Sequence, residues 1–208
     1  MHRLADIMRG KMLIGAGTVV HPEQVCLAYE AGARFILSPN TDARVIGKTR
    51  ELQMVSIPGA LTPTEMASAH EAGADFVKLF PAASLGAGYI RAIRVPMDHI
   101  RLVAVGGIDG RNAAEYLRAG ACAVGVGGHL VDKALVDQRN FAALTERAGR
   151  YLQAAFFRVL LLAQHKPGSR APYASACGAL FFRQGAGDAG GERLRRPRAC
   201  TAGADVIQ

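Results

Sequence analysis

The amino-acid sequence predicts an α/β fold built from short parallel strands and helices, and three observations support this. Between residues 12 and 155, short runs rich in Val and Ile alternate with segments of helical periodicity. These runs are almost continuously apolar, as strands are when both faces of a parallel sheet are buried. The strand-helix unit recurs about every 20 to 25 residues, which is the spacing expected of a (β/α) barrel.

Six strands and several helices follow from this pattern. The predicted strands span residues 13–18, 35–39, 54–58, 76–80, 102–105 and 123–126. The helices predicted over residues 22–31, 63–72 and 112–119 each end in an Ala-Gly pair, which supplies a C-cap.

The chain divides into two parts near residue 155. Residues 1–155 carry a net charge of +3 and residues 156–208 carry +5, out of a total of +8. The first part is predicted to hold the partial barrel. The second part is rich in Ala, Gly and Arg and has no sustained periodicity. We predict that it is a disordered basic tail or, preferably, the product of out-of-frame translation.

Composition argues against several classes of function. The excess positive charge lies mainly in the tail, and the barrel part has no basic motif interleaved with aromatic residues, so no nucleic-acid partner is expected. The longest apolar run, residues 156–163, is too short for a membrane span and contains Arg158. The N-terminus carries no secretion signal, which favours the cytoplasm. The four cysteines form no CxxC pair and have no histidine at metal-ligand spacing, so neither a metal nor a disulfide is expected.

The residue that points most directly to chemistry is Lys78, in the strand pattern ADFVKLFPA. Strand alternation places Phe76, Lys78 and Phe80 on one face and Val77 and Leu79 on the other. In a barrel one of these faces is the closed interior, where burial disfavours the ammonium form and lowers the pKa of a lysine. Such a lysine has the properties of a Schiff-base nucleophile. The alternative is a lysine at a strand end whose amine reaches solvent.

Small or hydroxyl-bearing turns follow the other strands, at the edge where barrels keep their active sites. Thr18 ends the sequence GAGT, and Pro39 fixes the turn in SPN. In PGALTPTE, Thr62 and Glu65 occupy the positions of a capping box, which we prefer to a catalytic role for Glu65. Glycine pairs follow the last two strands, and their exposed backbone N–H groups predict a phosphate site formed by Gly106, Gly107, Gly127 and Gly128.

Taken in order, the segments IGAGTV, PGALTPTE, VKLFPA, GGI and AVGVGG resemble the 2-keto-3-deoxy-6-phosphogluconate and 4-hydroxy-2-oxoglutarate aldolase family, over residues 12 to about 155. Members are (β/α)8 TIM barrels, typically homotrimers, that cleave such 2-keto acids to pyruvate and an aldehyde without a metal. The resemblance therefore implies a carbon-carbon lyase of carbohydrate metabolism, as in the Entner-Doudoroff pathway. Its partner would be a small 2-keto acid, and it would need no cofactor.

The resemblance also implies roles for individual residues. Lys78 would form the carbinolamine and then the Schiff base with the 2-keto carbon. Phe80 and Pro39 would shape the pyruvate end, and Thr18 would hydrogen-bond the substrate. The phosphate would bind at Gly106, Gly107, Gly127 and Gly128.

The chain departs from the family pattern in three respects. Its first predicted strand corresponds to the third strand of the family, so we expect about six βα units, without the two that carry a proton-shuttling glutamate and a carboxylate-binding arginine. The segment AVGG resembles the galactonate branch rather than the PTGG of many gluconate members, which leaves the sugar epimer open. Gly128 stands where many relatives have a serine.

Two alternatives to an active aldolase remain at this point. The chain could be an inactive remnant of such an aldolase. It could also be another phosphate-binding barrel, similar to thiamine-phosphate synthase, which shares the late glycine pairs but gives no reason for a lysine within a strand.

Overall fold

The structure is a computed structural model in which residues 1–151 are described. The tail predicted over residues 156–208 lies outside the described residues. The helices are α1 (His2–Ile7), α2 (Pro22–Glu30), α3 (Ala43–Glu51), α4 (Pro63–Glu71), α5 (Gly86–Arg94), α6 (Ala113–Ala119) and α7 (Lys133–Asp137), and residues 141–151 are again helical. The strands are β1 (Phe35–Leu37), β2 (Val55–Ile57), β3 (Gly59–Ala60), β4 (Val77–Leu79), β5 (Leu102–Val105) and β6 (Ala123–Gly125).

Every strand pairing among the described residues is parallel and joins neighbours in the sequence. The strands form a two-stranded sheet, β1-β2, and a four-stranded sheet, β3-β4-β5-β6. Pro58 lies between β2 and β3 and has no N–H group to donate, so the predicted strand 54–58 ends before it and pairing resumes at Gly59. Consecutive parallel strands with helices between them confirm the predicted α/β architecture of the TIM-barrel family, with six strand positions present.

The strand predicted over residues 13–18 is reduced to one bridge, between Ala16 and Ile36. The Ala16 N–H donates to the Phe35 carbonyl at 3.0 Å, and the Ala16 carbonyl accepts from the Leu37 N–H at 2.8 Å. The backbone then turns at Thr18, whose φ of 60° lies in the left-handed region. The prediction is therefore wrong in length, because this segment pairs on one side only and turns away at its carboxyl end.

The two faces of β4 have the surroundings that strand alternation predicts. Val77 and Leu79 belong to a large buried cluster shared with the surrounding helices. Phe76 belongs to a separate cluster on the inner face of the sheet, together with Ile57 and Val103. Lys78 therefore shares the inner face with Phe76, as predicted, while the helices cover the outer face.

The helix ends also follow the sequence. Thr62 begins α4 with a reciprocal capping box, in which its hydroxyl accepts from the Glu65 N–H and the Glu65 carboxylate accepts from the Thr62 N–H. At the end of α6, Gly120 adopts a φ of +115°, which confirms the predicted glycine C-cap. These local signals fix where the loops at the two edges of the sheet begin and end.

Two of the four cysteines lie in the described part of the chain. Cys122 packs against the inner cluster and its thiol donates to the Leu102 carbonyl at 3.1 Å, while Cys26 packs against the cluster beneath α2 and α3. Residues 1–151 hold no grouping of three or more metal-ligating side chains, and none of their helices has the length and apolarity needed to cross a bilayer.

Candidate active site

Lys78 occupies the centre of β4, between two strands that fix its backbone. Gly59 of β3 is its register partner on one side and Val103 of β5 on the other. The Lys78 N–H donates to the Pro58 carbonyl at 2.8 Å. The side chain is half-buried, so the strand carries an amine into the inner face close to its carboxyl end.

The Lys78 amine lies over the Phe80 ring, with Nζ 4.2 Å from the ring centroid. Burial lowers the pKa of Lys78 below its ordinary value of 10.5. No acidic side chain in residues 1–151 lies within ion-pair distance of this amine. Loss of hydration is therefore not offset by a counter-charge, and the fraction of neutral amine, which nucleophilic attack requires, is larger than in an exposed lysine.

The loop after β5 packs directly against the residues that follow β4. A Cβ on Gly106 would lie 3.1 Å from the Phe80 ring and 3.2 Å from the Cα of Pro81, and Gly106 has a φ of +96°. A Cβ on Gly107, with a φ of +71°, would lie 2.4 Å from the Cβ of Ala83. Glycine is required at both positions by conformation and by space. Lys78, Phe80 and this first glycine pair are therefore brought together.

Pro39 reaches the same neighbourhood through Gly59. A Cβ on Gly59 would lie 2.2 Å from the Pro39 carbonyl oxygen, so the turn after β1 sits directly on β3 beside Lys78. Thr41 stabilises this contact, because its hydroxyl donates to the Gly59 carbonyl at 2.9 Å. Sequence reasoning did not identify Gly59 or Thr41 as site residues, although the Pro-Gly pair within PGALTPTE was a signal for a close backbone approach.

Thr18 and the second glycine pair lie apart from Lys78, Phe80 and the first glycine pair. Thr18 is exposed at the carboxyl end of the first strand position, where the next residue, Val19, donates its N–H to the Leu37 carbonyl at 3.1 Å. Gly127 and Gly128 are exposed after β6, and a Cβ on either would have no neighbour within 4 Å. All three residues lie at the edge formed by the strand ends, but the structure does not pack them against Lys78 or Phe80.

Glu65 is engaged in the capping box rather than directed at the amine. Its Oε2 atom accepts from the N–H groups of Thr62 and Leu61, each at 2.8 Å, and from the Thr62 hydroxyl at 3.0 Å. These hydrogen bonds, the one from the Thr62 N–H first, lower the pKa of Glu65. The structure confirms the preferred interpretation of this residue.

Comparison with known proteins adds an independent line of evidence. The family model described as KDPG and KHG aldolase matches residues 3–147. The chain is 40% identical over 129 residues to the 2-dehydro-3-deoxy-6-phosphogalactonate aldolase of Escherichia coli strain K12, a match that covers 61% of this chain and 62% of that protein. The chain therefore spans less than two thirds of the length of this relative.

Two solved structures share the fold over longer stretches. A structure described as native KDPGal superposes with a TM-score of 0.70 at 33% identity, covering 76% of each chain. The KDPG aldolase of Legionella pneumophila, with pyruvate captured as a covalent carbinolamine, superposes with a TM-score of 0.65 at 30% identity, covering 70% of each chain. On the match of the family model over most of the described residues, this chain belongs to the KDPG and KHG aldolase family.

Proposed function

We propose that this protein is a class I aldolase that cleaves a 2-keto-3-deoxy-6-phospho sugar acid to pyruvate and glyceraldehyde 3-phosphate through a Schiff base on Lys78. The observation that carries the proposal is one half-buried lysine in the middle of a strand, with a lowered pKa and no counter-charge among the described residues. The same site would accept 4-hydroxy-2-oxoglutarate, with glyoxylate as the aldehyde.

The proposed chemistry begins at the Lys78 amine. Its neutral nitrogen attacks the 2-keto carbon to form a carbinolamine, and loss of water gives the protonated imine. The C4 hydroxyl then loses its proton, the C3–C4 bond breaks to release the aldehyde, and the bonding electrons move into the imine to give an enamine. Protonation at C3 and hydrolysis release pyruvate and restore the amine. We assign these proton transfers to no side chain of residues 1–151.

The neighbouring residues support an orientation for the substrate. Phe80 lies beneath the Lys78 amine, Pro39 contacts Gly59, the register partner of Lys78, and both would shape the pyruvate end. Thr18, at the strand-end edge, would hydrogen-bond the substrate. The backbone N–H groups of the glycine pairs would receive the phosphate at the aldehyde end, and this phosphate site would comprise Gly106, Gly107, Gly127 and Gly128.

The galactonate epimer is the substrate that we favour. The support is the 40% identity to a relative named for that epimer, together with the sequence AVGG, which ends in the first glycine pair. A comparison of kcat/KM for the two phosphorylated epimers distinguishes the two substrates. We expect the galacto compound to be cleaved faster.

The test of the proposal is the intact mass of the protein after incubation with pyruvate and borohydride. We expect one pyruvate-sized adduct in the parent chain and none in Lys78→Met. Lys133→Met is the matched control, because Lys133 is exposed and pairs with Asp137 at 2.8 Å. An adduct that persists in Lys78→Met would overturn the assignment of the nucleophile.

The same experiment addresses the alternatives left open by the sequence. A folded chain that forms no adduct is the result expected of an inactive remnant. A titration with inorganic phosphate is added for the second alternative, because phosphate binding without an adduct is the result expected of a barrel similar to thiamine-phosphate synthase.

We further propose that residues 1–155 form the aldolase unit, assembled as a homotrimer in the cytoplasm. Molar mass by light scattering tests the oligomeric state. A monomer would contradict the proposed trimer. The proposed role of Lys78 is tested separately, by the pyruvate adduct.

A further inference from the structure

In the loop after β5, the carbonyls of both Gly106 and Gly107 accept hydrogen bonds from other groups of the protein. The Gly106 carbonyl accepts from the Ala83 N–H at 3.0 Å, and the Gly107 carbonyl accepts from the Asn112 side-chain amide at 2.9 Å. In a trans peptide the N–H points away from the carbonyl of the same unit. The N–H groups of Gly107 and Ile108 therefore point away from Ala83 and Asn112, and no group in residues 1–151 accepts from either.

Asn112 holds this loop at both ends. Its Nδ2 donates to the Gly107 carbonyl, and its Oδ1 accepts from the Asp109 N–H at 2.9 Å. Asn112 stands at the N-cap position of α6, yet its side chain makes no capping hydrogen bond to that helix. The amide is used on the loop instead, and only a group that both donates and accepts can make these two bonds.

The one carboxylate in this loop, Asp109, is already ion-paired. Asp109 accepts from the backbone N–H groups of Arg111 and Asn112, at 2.8 and 3.2 Å, and pairs with the Arg111 guanidinium at 2.7 Å. The Arg111 guanidinium, through its hydrogen bonds, holds the pKa of Asp109 at about 2. Asp109 is therefore ionised, and the Arg111 guanidinium balances part of its charge.

We propose that Asn112 is a positioning residue that directs the backbone N–H groups of Gly107 and Ile108 at the phosphate of the substrate. This inference rests on the proposed function for the identity of the anion. Asn112 acts through the loop on the phosphorylated aldehyde end, whereas Lys78 and Phe80 act on the pyruvate end. The two halves of the site therefore respond differently to a change at Asn112.

The experiment compares Asn112→Asp with the parent chain on two substrates. Aspartate keeps the size and the acceptor but loses the donor to the Gly107 carbonyl, and it adds a negative charge near the phosphate. We expect the KM for the phosphorylated sugar acid to rise about tenfold or more, with a smaller change in kcat. Values for unphosphorylated 4-hydroxy-2-oxoglutarate and the yield of the pyruvate adduct should stay within about twofold.

Asn140→Asp is the matched control. Asn140 caps the helical residues 141–151 through its side chain, which accepts from the Ala143 N–H at 3.2 Å, and it lies outside the proposed site. It should leave both substrates unaffected. Equal losses on the phosphorylated and unphosphorylated substrates in Asn112→Asp would show a structural role only and overturn the inference, as would no change on either.

Direct binding of inorganic phosphate separates this inference from the aldolase proposal. If the parent chain forms no pyruvate adduct, the aldolase proposal fails, while phosphate affinity can still be measured by calorimetry. A tenfold or greater loss of that affinity in Asn112→Asp would then support Asn112 on its own. Unchanged affinity would overturn it. If Asn112→Asp unfolds, Asn112→Ala, which removes both hydrogen bonds without adding a charge, is measured in the same way and judged by the same criteria.

Discussion

The Lys78 amine sits 4.2 Å from the centre of the Phe80 ring, and the two residues are adjacent on one face of the same strand pattern. The ring has two opposing effects on the amine. Its negative face attracts the ammonium form, while its bulk helps to exclude water and favours the neutral form. Burial lowers the pKa of Lys78, and the attraction of the ring for the ammonium form opposes that shift.

Phe80→Leu separates these effects. Leucine keeps much of the apolar bulk but removes the ring, so the ammonium form loses its attraction and the pKa of Lys78 falls further. An exposed cation–π contact is worth about 0.5–1 kcal/mol, so the fall is small. We expect the midpoint of adduct formation against pH to move to lower pH. A midpoint at higher pH would mean that exclusion of water is the main contribution of the ring.

Lys78→Met should stabilise the fold. Because the pKa of Lys78 is lower in the folded than in the unfolded chain, the unfolded chain binds the proton more tightly, and the free energy of unfolding rises with pH up to about 10.5. Removing the amine removes the free-energy cost of burying its charged form, so we expect a gain in the free energy of unfolding at pH 7 that shrinks as the pH rises. Thermal unfolding at several pH values measures it. Lys133→Met should show no such gain, and a loss of stability in Lys78→Met would contradict the prediction.

Gly107→Ala and Gly128→Ala should differ in stability. Alanine at position 107 would carry a left-handed backbone and place its Cβ 2.4 Å from that of Ala83, whereas alanine at position 128 meets no neighbour within 4 Å. We expect a loss of about 1–3 kcal/mol for the first and less than about 0.5 kcal/mol for the second. Urea unfolding curves measure both. Equal losses would mean that the loop rearranges to admit a side chain.

Glu65→Ala distinguishes a capping role from a catalytic one. Loss of the three hydrogen bonds to its Oε2 should lower the free energy of unfolding by about 1 kcal/mol. The rate of pyruvate adduct formation at Lys78 should be unchanged, because Glu65 faces the start of its own helix. Glu71→Ala, at the exposed end of the same helix, is the control for removal of a charge. A tenfold slower adduct with unchanged thermal stability would instead place Glu65 in the chemistry.

Much of the fold could be predicted because the local signals agree with one another. The strand predicted over residues 102–105 has the observed bounds of β5, since its residues are continuously apolar and bounded by turn signals. The strand over residues 13–18 was predicted too long. Apolar content alone does not show that a segment pairs on one side only or that Thr18 turns its backbone.

In the site, too, residues marked by their local sequence could be predicted, whereas residues that act through contacts distant in sequence could not. Lys78 stands out because a lysine within an apolar strand is unusual, and its placement beside Phe80 follows from alternation. Gly59 and Asn112 were not identified, because their roles depend on loops that approach from elsewhere in the chain. The sequence shows Asn112 as the first residue of a helix, and only the three-dimensional arrangement shows its amide bonded to the loop before it.

Pro58 divides the strands into two sheets, and this division runs through the site. Pro39 follows a strand of the first sheet, while Lys78, Phe80 and the glycine pair after β5 belong to the second. The residues proposed to shape the pyruvate end therefore do not all share one hydrogen-bonded ladder. Pro39 contacts Gly59, the register partner of Lys78, so a change in the turn after β1 reaches the pyruvate end across the boundary between the two sheets.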